Sequence, residues 1–89
     1  MSDVAVTFGV AIEALKRGER VARAGWNGKG MWLALVQAAQ WQVSPDVPGM
    51  DDMDLLTLPW IGMKTADGKF VPWLASQTDM LAEDWAMLA

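Results

Sequence analysis

Phe8, Ala11, Ile12 and Leu15 stand at the spacing i, i+3, i+4, i+7, which is one apolar face of a helix. The pattern predicts a helix capped by Thr7, running to about Arg17 and stopped at Gly18. Gly9 weakens its first turn, and Val10 at the third helical position leaves no capping box. Arg20 to Arg23 then alternates polar with apolar like a short half-buried strand, broken by the glycine-rich GWNGKG at Gly25 to Gly30. Met31 to Gln37 is a continuous apolar run, short for a helix, and predicts a central strand reaching as far as Val43. Ser44 to Pro59, with three prolines and four aspartates, reads as a long excursion or flap holding a short helical turn. Ile61 to Thr65 and Phe70 to Trp73 flank Ala66-Asp67-Gly68-Lys69, whose Asp-Gly signals a hairpin turn. Ser76 or Thr78 caps a short turn around Asp79 to Leu81, and Asp84 to Leu88 closes as a last strand or a helix.

These elements predict a single α+β domain over residues 1 to 89, a small antiparallel sheet of about four or five strands with one or two helices. Composition adds a reason to self-associate. A chain of 89 residues buries only about 60 to 65% of its unfolded surface. This one has no cysteine for a disulfide and no histidine or cysteine for a structural zinc. An apolar fraction of 53% against 20% charged residues excludes a disordered tail. The longest apolar run, Met31 to Val36, is far below the roughly 18 residues that span a bilayer. No basic and apolar leader pattern opens the chain, so the cytoplasm is the expected compartment, and neither a membrane nor a nucleic-acid polymer is an expected partner. A net charge of −4 opposes phosphate-backbone binding. The charge is nonetheless uneven, because Lys16, Arg17, Arg20, Arg23 and Lys29 precede residue 30 while Asp46, Asp51, Asp52 and Asp54 crowd the middle.

Lacking histidine and cysteine, the chain cannot build thiol nucleophiles, Ser-His-Asp machinery or imidazole acid-base catalysis. No catalytic residue, metal site or cofactor is expected. What it holds instead is tryptophan, at positions 26, 32, 41, 60, 73 and 85. In the GWNGKG stretch Trp26 offers a flat face, Asn27 an amide and Lys29 a cation, with Arg23 just before and glycines that expose backbone N–H groups. That inventory suits a nucleotide, although the spacing matches neither a Walker A loop nor a Rossmann fingerprint. A tight turn with Trp26 in the core explains it equally. A second set, Trp73, Ser76, Gln77, Thr78 and Asp79, joins an aromatic plate to groups that bond ribose hydroxyls. Its plain alternative is a capped helical turn. The carboxylates Asp79, Glu83 and Asp84 offer a metal-dependent hydrolase, with Asp79 and Glu83 sharing a helical face, or merely a solvated surface. A protein-interaction module that uses its tryptophans is a further alternative. The methionines read as filler in a core or subunit interface.

Taken together, ARAGWNGKGMWLALV and IGMKTADGKFVPWLASQTDMLAEDW resemble the second Thoeris anti-defence family of phage and prophage proteins. The resemblance spans Phe8 to Val36 and Ile61 to Trp85, and departs at Gly9, where Glu is usual after Phe8, and over residues 40 to 60. It implies a non-enzymatic sponge that sequesters the cyclic ADP-ribose isomer by which Thoeris signals infection in the bacterial host. It also implies a tetramer assembled from dimers with ligand pockets at subunit interfaces, and in some members uptake of the cyclic oligonucleotides used by CBASS systems. By motif, Trp26 and Asn27 with Trp73, Ser76, Gln77 and Asp79 would line the pocket, the two tryptophans sandwiching or flanking the adenine and the polar groups reading the ribose hydroxyls; from the residues alone, Arg23 and Lys29 join the expected binding set as its cations.

Overall fold

A computed structural model describes residues 5–26, 30–37 and 58–88. Helix α1 (Phe8–Lys16) begins where the pattern places it, with the Thr7 hydroxyl accepting from the Val10 N–H at 3.3 Å. It ends in a Schellman turn: Glu19 N–H donates to Ala14 O and Gly18 N–H to Leu15 O, both at 3.0 Å. The turn needs a left-handed residue, and Gly18 supplies it at φ 91°.

Strands β1 (Arg20–Arg23), β2 (Trp32–Val36), β3 (Trp60–Lys64), β4 (Phe70–Pro72) and β5 (Trp85–Leu88) form one antiparallel sheet in the order β4-β3-β2-β1-β5. Asp84 to Leu88 therefore resolves as a strand. It lies beside β1, and Val6 bridges its outer edge by donating to Trp85 O at 2.8 Å and accepting from Trp85 N at 3.1 Å. The β3–β4 hairpin turns differently from a two-residue Asn-Gly type. Thr65 N–H donates to Lys69 O at 2.7 Å and Gly68 N–H to Thr65 O at 3.0 Å, and Gly68 takes positive φ while Asp67 does not. That is a three-residue loop with a bulge at glycine. The Asp67 carboxylate accepts from the Thr65 hydroxyl and the Lys69 ammonium, and those contacts, the hydroxyl first, hold it below the usual carboxylate range. The extension of β2 toward Val43, the flap of residues 40 to 60 and its helical turn lie outside the described residues, apart from 58–60.

The register separates two faces. On one, Val21, Leu33, Leu35, Ile61, Met63, Trp85 and Met87 point toward α1, and with Ala11, Ala14 and Leu15 they make the core. No helix among the described residues covers the other. There Trp32, Phe70 and Trp60 form a row, with ring centroids 6.2 and 5.8 Å apart. The Phe70 ring lies directly on Gly62, where an added Cβ would come within 2.3 Å of it, and the Arg20 guanidinium stands 5.1 Å from the Trp32 centroid.

Candidate functional site: an aromatic cluster closed by an ion-pair network

β1 alternates, so Arg23 falls on the same face as the buried Val21 and points toward the core layer rather than the solvent. A charge there needs partners. It finds two: Nε donates to Asp84 Oδ1 and Nη1 to Asp79 Oδ1, each at 2.9 Å, with the Arg23 side chain 21% exposed. The two hydrogen bonds, to Asp84 first and Asp79 second, raise the guanidinium pKa further.

Asp79 belongs to α2 (Gln77–Leu81), a single short turn of helix. Ser76 caps it, and here a capping box does form: Ser76 Oγ accepts from Asp79 N at 3.1 Å and donates to Asp79 Oδ2 at 2.8 Å, while Ser76 N reaches Oδ2 at 3.3 Å. The backbone carbonyl of Asp79 also accepts the Trp85 indole N–H at 3.0 Å. Glu83 lies beyond the end of α2, so the helical face expected for Asp79 and Glu83 does not exist. The carboxylate that joins Asp79 is Asp84, and both are spent on Arg23. Among the described residues no group of three or more potential metal ligands gathers.

Above this network lie the rings. A 3-10 turn, Ala24–Trp26, follows β1 and carries Trp26 toward the core end of the sheet. Its ring meets Trp85 at 5.5 Å and Trp73 at 6.5 Å, both edge to face. Trp73 meets Trp85 at 6.0 Å and Phe8 at 6.1 Å. Trp85 is fully buried at the centre, whereas Trp26 and Trp73 are half-buried. An interplanar angle of 77° between Trp26 and Trp73 leaves no parallel slot between them, so within one chain they cannot sandwich a base. A flat ligand would stack on one ring and meet the edge of the other.

Of the residues singled out from sequence, the fold brings together Arg23, Trp26, Trp73, Ser76 and Asp79. Gln77 is exposed on α2, and Asn27 and Lys29 lie outside the described residues. Ser76 caps α2, and Asp79 ties it to Arg23. Trp85 is not among the site candidates read from the sequence, and Asp84 enters there only as a carboxylate of the hydrolase alternative. An inward-facing Arg23 on an alternating strand was the available signal that a second carboxylate must be near.

Asp79 supplies a pH prediction. Burial pushes its carboxyl up, but hydrogen bonds from Ser76 and Arg23 outweigh this and leave it below the ordinary value. With the folded value under the unfolded one, its stabilisation is complete above roughly pH 4 to 5 and is lost as the pH falls through the folded value. Near-ultraviolet circular dichroism of the indoles should hold steady from pH 7 to about pH 4 and change below that. A signal unchanged down to pH 2 would mean that the pair does not orient the cluster.

Comparison with known proteins covers nearly the whole chain. The family model described as Tad2-like, Thoeris anti-defense 2-like domain, matches residues 6–88. The Thoeris anti-defense 2 protein of Bacillus phage SP01 is 41% identical over 88 residues, covering 94% of this chain and 96% of that protein. The chain whose α1, five strands and tryptophan cluster are described above belongs to the Thoeris anti-defense 2-like family of phage proteins.

Proposed function

We propose that this anti-defence protein binds a cyclic nucleotide immune messenger, a cyclic ADP-ribose isomer of the Thoeris system, and withholds it from its effector without degrading it. The observation that carries the reading is the meeting of two half-buried tryptophans, Trp26 and Trp73, from separate segments, above polar groups that are already hydrogen-bonded. Stacking of a base on such a ring is worth about 1 to 3 kcal/mol. With no histidine or cysteine in the chain and with Asp79 and Asp84 both paired to Arg23, the site favours capture over turnover. The second aromatic face supports the other half of the reading. Three rings on a sheet face that no described helix covers are a surface suited to a second copy, and the proposed assembly is a homotetramer in the cytoplasm of the infected host.

Native mass spectrometry of the purified chain with cyclic ADP-ribose isomers and cyclic oligonucleotides tests both halves. The expected spectrum shows about four times the monomer mass plus bound messenger. Denaturing the complex should then release the messenger unchanged and able to activate its effector. Recovery of linearised ADP-ribose would establish a hydrolase instead, and a monomer without ligand would remove the assembly and the binding together.

A further inference from the structure

α2 turns one residue inward, the acidic Asp79, and leaves its apolar residues turned out. Met80 is 44% exposed, Leu81 79% and Leu74, just before the cap, 91%, while Asp79 is the inward member. A short helix normally docks through an apolar stripe. This one has little such area to hold it, and a single turn is not stable by itself. Among the described residues, every hydrogen bond from α2 and its cap to the rest of the fold ends on Asp79: Arg23 on the carboxylate and Trp85 on the carbonyl. Arg23 is held in turn by Asp84, in the turn before β5.

From this we infer that Arg23 is a positioning residue of the binding site, acting through Asp79 to fix α2, with Gln77 on it and Trp73 just before it, against Trp26, and not by binding the ligand's phosphates. The inference rests on the binding reading above. Arg23 with two carboxylates makes a cluster of formal charge −1, which does not attract an anion as a lone arginine would. The guanidinium spans Asp79 and Asp84 with two different nitrogens, a geometry that an ammonium does not reproduce.

The test uses the full chain and the cyclic ADP-ribose isomer, titrated calorimetrically at several salt concentrations well below each variant's melting temperature. Arg23→Gln should weaken binding roughly 10- to 100-fold, the cost range of charged hydrogen bonds, with the salt dependence of the affinity unchanged. Arg23→Lys should recover part of that loss, and Asp84→Asn should weaken binding several-fold. Tighter binding by Asp84→Asn, or a markedly weaker salt dependence in Arg23→Gln than in the wild type, would overturn the inference and make Arg23 a phosphate reader. Amide hydrogen exchange reads the same pin without ligand. Residues 77 to 82 should lose protection in Arg23→Gln while the amides of β2 and β3 keep theirs. Unchanged protection at 77 to 82 would overturn the inference even if the messenger binds. If the wild type binds nothing yet the variant loses protection, the binding reading fails and the pin stands.

Discussion

Replacing Trp85 by alanine should remove a large share of the chain's stability. Trp85 is fully buried and touches Phe8 at 5.3 Å, Trp26 at 5.5 Å and Trp73 at 6.0 Å, so its removal opens a cavity that helix and sheet must both close on. Truncating a buried tryptophan costs about 3 to 5 kcal/mol. A domain of this length has only about 4 to 13 kcal/mol in total, and among the described residues only Ala11, Ala14, Leu15, Val21 and Leu33 are buried with Trp85. The variant also frees the Asp79 carbonyl from its indole partner, loosening α2 at the same moment. Trp85→Phe keeps a ring in the cavity and should lose markedly less. Urea unfolding followed by far-ultraviolet circular dichroism distinguishes the two. A loss under about 1 kcal/mol for Trp85→Ala would contradict the core described here.

Trp73→Ala should have the largest effect on ligand binding. If its outer face carries the base, about 1 to 3 kcal/mol disappears, or roughly 5- to 150-fold in affinity. The same ring braces Phe8 and Trp26, so alanine also costs stability, and binding must be measured on protein whose melting transition is intact. Trp73→Phe separates the causes, because phenylalanine preserves a smaller stacking face along with most of the packing. The expected order of affinity is wild type, then Phe, then Ala. Equal affinities in folded variants would remove Trp73 from the site and leave Trp26 as the aromatic platform.

Helix α1 was legible because its boundaries depend on local chemistry: the Thr7 cap, the apolar spacing and Gly18. Strand β1 and the hairpin followed from alternation and from the Asp67-Gly68 turn, although the turn's length depended on whether Asp67 would share the positive φ, which dipeptide identity does not decide. The fate of Asp84 to Leu88 was open between strand and helix because only pairing with β1, distant in sequence, selects the strand. The candidate site was legible as a set of residue types and not as an arrangement. Which carboxylate would meet Arg23, and that Trp26 and Trp73 would stand edge to face, follow from α2 ending at Leu81 and from Trp85 filling the space between them.

The placement of β5 beside β1 also shapes how the molecule comes into being. Val21 pairs with Met87 and Arg23 with Trp85, and the largest fully buried side chain among the described residues arrives with β5. The β3–β4 hairpin can form as soon as its own residues are available, since its ends are neighbours in sequence. One edge of β1 finds β2 nearby in the chain, but its other edge must wait for β5 from the far side of the sequence, and the entropy of closing that long loop has to be met before Trp85 completes the core. Folding should therefore be governed by one late, non-local event. Until it occurs, β1 presents one unpaired edge and α1 an apolar stripe covered only in part, and it is in that interval that the chain is most exposed to aggregation and proteolysis.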